Sequence, residues 1–98
     1  MKVFVSLPMA DKSHEEIRRD QISMARIAVP PGTNYEVIDT LLEAPKDCKN
    51  TGVWYIAESL KLMVDADLVV IDKYWRNYNG CQVEHMVASL YGIPIVKV

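Results

Sequence analysis

Asp67-Leu68-Val69-Val70-Ile71-Asp72 is the stretch that decides the fold: four consecutive branched apolar residues between two carboxylates. A strand with one wet face alternates apolar and polar residues. A strand buried on both faces does not, and that pattern belongs to a parallel sheet covered by helices. Immediately upstream, Val53, Ile56, Ala57, Leu60, Met63 and Val64 recur at helical spacing, so a helix is expected from about residue 51. Downstream, residues 73–79 read as a loop, and a helix is expected over residues 80–91 with Val83, Met86, Val87 and Leu90 as its core face. Gly92 stands where a left-handed residue ends many helices, and residues 93–98 form a last strand.

Further out, residues 2–7 are an apolar run stopped by Pro8, which suits another buried strand. Ser13-His14-Glu15-Glu16 is a capping box, in which each partner satisfies a free backbone N–H of a helix start. Ile17, Met24, Ala25 and Ala28 continue that helix, Gln21 interrupts its apolar stripe, and Arg18, Arg19 and Asp20 fall on the outer side. Pro30-Pro31-Gly32 ends it. Residues 35–39 read as a more exposed strand, and residues 40–52, with Pro45, Asp47, Asn50 and Gly52, as a loop. The order β-α-β-α-β-α-β over 98 residues implies one domain, residues 1–98. A three-layer α/β fold is expected, with a four-stranded parallel sheet, right-handed crossovers and helices on both faces.

Composition narrows the function classes. Half of the residues are hydrophobic and 24% are charged, with a net charge of −2. No apolar run approaches the ~20 residues of a membrane span, so no membrane partner is expected. The start of the chain reads as a strand rather than a signal peptide, and a cytoplasmic location is expected. Basic residues are scattered, without the stripe that neutralises phosphates, so no nucleic acid is expected either. Cys48 and Cys81 lack a C-x-x-C spacing and read as reduced thiols.

In open parallel sheets, ligands bind beyond the carboxyl ends of the strands. Three segments qualify: Leu7-Pro8-Met9, residues 72–79, and Asn79-Gly80-Cys81-Gln82-Val83-Glu84-His85. Glu84 lies near the start of a helix, where the dipole favours an ionised carboxylate. Such a carboxylate beside an aromatic-walled pocket can attack a sugar carbon. The plain alternative is an acid placed there for helix stability. Tyr74, Trp75 and Tyr78 offer either a stacking surface for a nucleobase, a lid over the core, or a subunit contact. Asp72 is placed to accept a hydrogen bond from a base or sugar hydroxyl, whereas Asp65 and Asp67 read as solvated ends of elements. His14 reads as a surface residue, and His85 either assists proton transfer or is simply half exposed. Cys81, Glu84 and His85 lack a zinc spacing, so neither metal nor cofactor is expected. A phosphoryl-receiver site would need an acidic pair after the first strand, and a dinucleotide site a G-x-G-x-x-G; neither is present.

Lys2-Val3-Phe4-Val5-Ser6-Leu7-Pro8-Met9 resembles the opening strand and loop of nucleoside 2-deoxyribosyltransferase-like proteins, usually K-I-Y-L-A-G-P-M. Residues 67–72 resemble their central strand. Trp75 through Gly80-Cys81-Gln82-Val83-Glu84 is similar to their W-x-x-S-x-G-A-x-x-E and G-T-x-x-E elements, and Gly92-Ile93-Pro94-Ile95-Val96 to the A-L-G-K-P-I-V that follows. The resemblance spans nearly the whole chain and is greatest to short, often phage-encoded members. It implies a flavodoxin- or Rossmann-like three-layer fold, and deoxyribosyl transfer or N-glycoside hydrolysis on a nucleoside or nucleotide. Glu84 would be the nucleophile and Asp72 would handle base or sugar, with Pro8, Met9, Tyr74, Trp75, Asn79 and Gly80 around the substrate. Three positions depart from the pattern. Phe4 replaces a tyrosine whose hydroxyl orients the nucleophile, Leu7 replaces a glycine, and Tyr78-Asn79 stand where an aspartate often precedes the glycine. Longer members also lend C-terminal residues to a neighbour's site, for which residues 1–98 hold no counterpart. Two other classes stay open: a non-catalytic nucleotide-binding module, and an interaction protein. For the last, a homo-oligomer is expected, formed through the edge of the final strand or through a helix face.

Overall fold

The apolar run of residues 68–71 becomes a strand with every residue buried. In the computed structural model, which describes residues 1–98, the strands are β1 (Lys2–Ser6), β2 (Glu36–Val37), β3 (Leu68–Ile71) and β4 (Ile95–Lys97). They form one parallel sheet in the order β2-β1-β3-β4, with β3 paired to β1 on one side and β4 on the other. The helices are α1 (His14–Ala28), α2 (Thr51–Met63) and α3 (Asn79–Leu90). The expected three-layer α/β fold is the observed one. No helix is long and apolar enough to cross a membrane.

Side chains of successive strand residues point to opposite faces, and the core divides accordingly. Val3, Val5, Leu7, Leu68 and Val70 pack with Ala25 and Val29 on the α1 face. Phe4 and Val69 pack with Met63 of α2 and Ala88 of α3 on the other. Ser6 and Ile71 share that second face by parity, and both are buried.

Local signals act as their chemistry dictates. The Ser13–Glu16 capping box forms at the start of α1. Gly92 adopts φ +73° just beyond α3, and the next N–H, of Ile93, donates back to the Ala88 carbonyl at 3.0 Å. That is the long bond of a Schellman ending, which needs a left-handed residue.

Several expectations require correction. The sheet-facing side of α3 is Cys81, Glu84 and Ala88, whereas Met86 and Leu90 are 53% and 73% exposed. Of the expected core face, Val87 packs on the core and Val83 is half-buried, so the helix is rotated by part of a turn from the apolar stripe rather than reversed. On α2, Met63 is buried, but Val53 and Val64 at its two ends are exposed. Gln21 does not merely interrupt a stripe: it is fully buried, donates from Nε2 to Thr40 Oγ1 at 2.7 Å and accepts from Arg18. Arg18 is half-buried and also donates to the Val37 carbonyl, fastening α1 to the end of β2. Asp67 is more than a solvated terminus, because its Oδ2 accepts the Lys2 N–H at 2.7 Å and holds the start of β1. A short 3-10 turn, Trp75–Asn77, also lies within the expected loop.

Candidate functional site

The carboxyl ends of β1 and β3 bring together Ser6, Asp72, Cys81 and Glu84. β1 carries Ser6 to its last position, on the face turned to α3, and α3 presents Cys81 and Glu84 one turn apart on its sheet-facing side. Ser6 Oγ donates to Glu84 Oε1 at 2.6 Å across 78 residues of sequence, within the core. Neither salt bridge of the protein, Lys12–Asp20 or Lys61–Glu58, involves Glu84. Its other oxygen, Oε2, makes no hydrogen bond, and no fully buried side-chain oxygen is left without a partner. Oε2 is therefore the edge of this carboxyl that reaches solvent, through the residue's remaining 8% exposure.

Burial without a counter-charge dominates the electrostatics. Desolvation pushes the Glu84 carboxyl from 4.5 up to about 7, against the opposing pull of the Ser6 hydrogen bond. The expected help from the helix dipole is slight. α3 begins at Asn79, which puts Glu84 in the second turn, and the dipole effect fades beyond the first. Cys81 is pushed up to about 11, chiefly by burial. Ser6 lowers it, while the Glu84 and Asp72 charges raise it further. A thiol so placed stays protonated and is a poor nucleophile.

Asp72 follows β3 directly and is held by an Asx turn, its Oδ1 accepting the Tyr74 N–H at 2.7 Å. Pro8 and Met9 follow β1 and are half-buried, Met9 packing on the α1-face core. Asn79 is exposed at the first position of α3. Beside it, Gly80 is half-buried, and a Cβ there would meet Ile56 Cδ1 of α2 at 3.4 Å.

Trp75 stacks on His85 with ring centroids 3.8 Å apart and planes 5° from parallel. Arg76 and Lys97 also lie over the Trp75 ring, at 4.7 and 5.8 Å. Lys97 belongs to β4 and Ser6 to β1, with β3 between the two strands in the sheet. The His85 pKa is lowered by burial and by the positive charges of Lys97 and Arg76. Tyr74 and Tyr78 are exposed. Two shallow cavities, of about 650 and 570 Å³, are lined by α1 residues with Leu41, and by Trp75, Arg76, His85 and neighbours of α3. No group of three or more His, Cys, Asp or Glu residues is arranged to hold a metal ion.

Ser6 is the site residue that sequence reasoning passed over. Its signal was a lone hydroxyl ending an apolar strand two residues after Phe4, which places it on the same face as Phe4. No family model, curated protein or solved structure matches this chain.

Proposed function

We propose that this protein breaks the N-glycosidic bond of a deoxynucleoside or its monophosphate, with Glu84 as the attacking carboxylate. The observation that carries this reading is the Glu84 carboxyl itself: buried at the carboxyl end of a parallel sheet, tied by one oxygen to Ser6, and free at the other. Ionised Oε2 attacks the anomeric carbon, the C–N bond breaks, and the base leaves with the bonding pair and takes up a proton. Water or a second base then attacks the same carbon and releases Glu84. Ser6 holds the carboxylate during both steps, standing in for the hydroxyl that Phe4 lacks. Asp72, with Oδ2 free of hydrogen bonds, accepts from a base or sugar hydroxyl. Pro8 and Met9 after β1, Tyr74 after β3, and Asn79 and Gly80 at the start of α3 border the substrate. Trp75 does so only if its stack with His85 opens.

Because the attacking form is the anion, the rate rises with pH and levels off above about 7. The test is chromatographic detection of free base after incubation with each deoxynucleoside and deoxynucleotide. Wild-type protein releases base and Glu84→Gln does not. Release by both variants, or by neither, overturns the assignment.

A second reading is favoured by the same raised pKa. A neutral carboxyl is no nucleophile, but it both donates and accepts a hydrogen bond, as a nucleotide-binding module requires. Such a module is thermally stabilised by its ligand and leaves that ligand intact. The unbridged thiols of Cys48 and Cys81 support a reducing, cytoplasmic setting. Self-association belongs to the proposal through the exposed apolar Val53, Val64 and Leu90, and a monomer in light scattering removes it.

A further inference from the structure

The edge of β4 and the groove beside it form a second feature, separate from Glu84. β4 pairs only with β3, so its outer side carries no partner strand. The ladder to β3 uses the Pro94 carbonyl and both the N–H and carbonyl of Val98. Main-chain polar groups alternate sides along a strand, so those of Ile95 and Lys97 point outward and away from β3. An open edge of this kind is a template for an added strand.

Charge decides what could be added. Lys73, Arg76 and Lys97 are exposed, and none makes a salt bridge or a side-chain hydrogen bond. They gather at the β3–β4 end of a protein whose net charge is −2. The lowered pKa of His85, caused in part by Lys97 and Arg76, reports the same positive field. The groove of about 570 Å³ alongside is lined by Trp75, Arg76, His85, Met86 and Leu90, among others. A second copy of this chain fits the edge poorly, because pairing two β4 strands brings these cations against their own likeness.

We propose that β4 takes an extended acidic segment of a partner protein as a fifth strand, by main-chain pairing at Ile95 and Lys97. The pattern of that segment follows from parity. Ile95 packs with Phe4 and Ala88, so Lys97, two residues on, shares the α3 face. Val96 and Val98 pack on the α1-face core. Side chains of the added strand therefore alternate between Lys97, Arg76 and Trp75 on one face and Val96 and Val98 on the other. The segment alternates carboxylates with β-branched apolar residues.

The probe is a hexapeptide of alternating Glu and Val with blocked ends, followed by amide NMR and fluorescence anisotropy. Saturable binding with shifts centred on the Ile95 and Lys97 amides is expected. Lys97→Glu and Arg76→Glu each weaken it by about tenfold or more, while both exposed variants keep the wild-type thermal midpoint. A peptide of the same composition in blocks, three Glu then three Val, binds markedly less well. Equal affinity for the block peptide overturns strand addition, as does binding unchanged by Lys97→Glu. Preferential shifting of the same amides by a single-stranded oligonucleotide overturns the assignment to an acidic protein segment. None of these readouts uses base release, so they stand or fall separately from Glu84.

Discussion

Two buried polar bridges lie on opposite faces of one sheet. On the α1 face, Gln21 Nε2 donates to Thr40 Oγ1 at 2.7 Å; on the other, Ser6 Oγ donates to Glu84 Oε1 at 2.6 Å. Each ties a helix to a distant stretch of chain, and both hydrogen bonds lie within the core. The first is neutral at every pH, and Arg18 satisfies the remaining Gln21 oxygen. The second contains a group that ionises, has no cation beside it, and keeps one oxygen open. A buried polar pair by itself marks only a well-specified core. An ionisable member without a counter-charge, at the end of the sheet where ligands bind, is what distinguishes a candidate for chemistry.

Variants at the two bridges separate these roles. The largest effect falls on catalysis: Glu84→Gln lowers base release by about 10³-fold or more, as loss of a nucleophile does, while Thr40→Val leaves the rate per folded molecule unchanged. Chromatography of released base on both variants checks this. Next is the pH dependence of stability. The folded-state pKa of Glu84, about 7, lies above its unfolded value of 4.5. Its contribution is therefore fully present below pH 4.5 and is lost as pH rises through about 7. Denaturant unfolding should show a loss of about 3 kcal/mol from this group by pH 8, and Glu84→Gln should remove that slope.

Smaller effects follow at the hydroxyls. Thr40→Val leaves the fully buried Gln21 amide without its acceptor and costs about 1–3 kcal/mol, equally at pH 5 and pH 8. Ser6→Ala removes the bond that favours the Glu84 anion, so the midpoint of the pH–rate profile moves upward and the plateau is reached later. The smallest effect is expected where the sequence placed core and the structure places solvent. Leu90→Ser should change unfolding free energy by no more than about 0.5 kcal/mol.

Much of the architecture was legible because it rests on local rules. Four apolar residues at 68–71, Ser13 three residues before Glu16, and Gly92 beyond a helix each have one favoured structural meaning, and each took it. The phase of α3 was only partly legible. The apolar stripe runs Val83, Met86, Val87 and Leu90, of which Val87 packs on the core while Met86 and Leu90 face solvent. The side that meets the sheet carries Cys81, Glu84 and Ala88, whose merit is small volume or a specific hydrogen bond. Glu84 was named from its position, but for a dipole that hardly reaches it; burial governs its charge instead. Ser6 and Gln21 were passed over for a related reason. Each is a polar residue in an apolar segment, and only the fold supplies its partner, 78 and 19 residues away.

The account turns on a carboxyl enclosed without a cation to balance it. Carbon-detected NMR titration of the wild-type protein, with the Glu84 side-chain carbonyl assigned by comparison with Glu84→Gln, measures that directly. A midpoint near pH 7 is the result expected here. A midpoint near pH 4.5, that of a carboxylate in water, would contradict it.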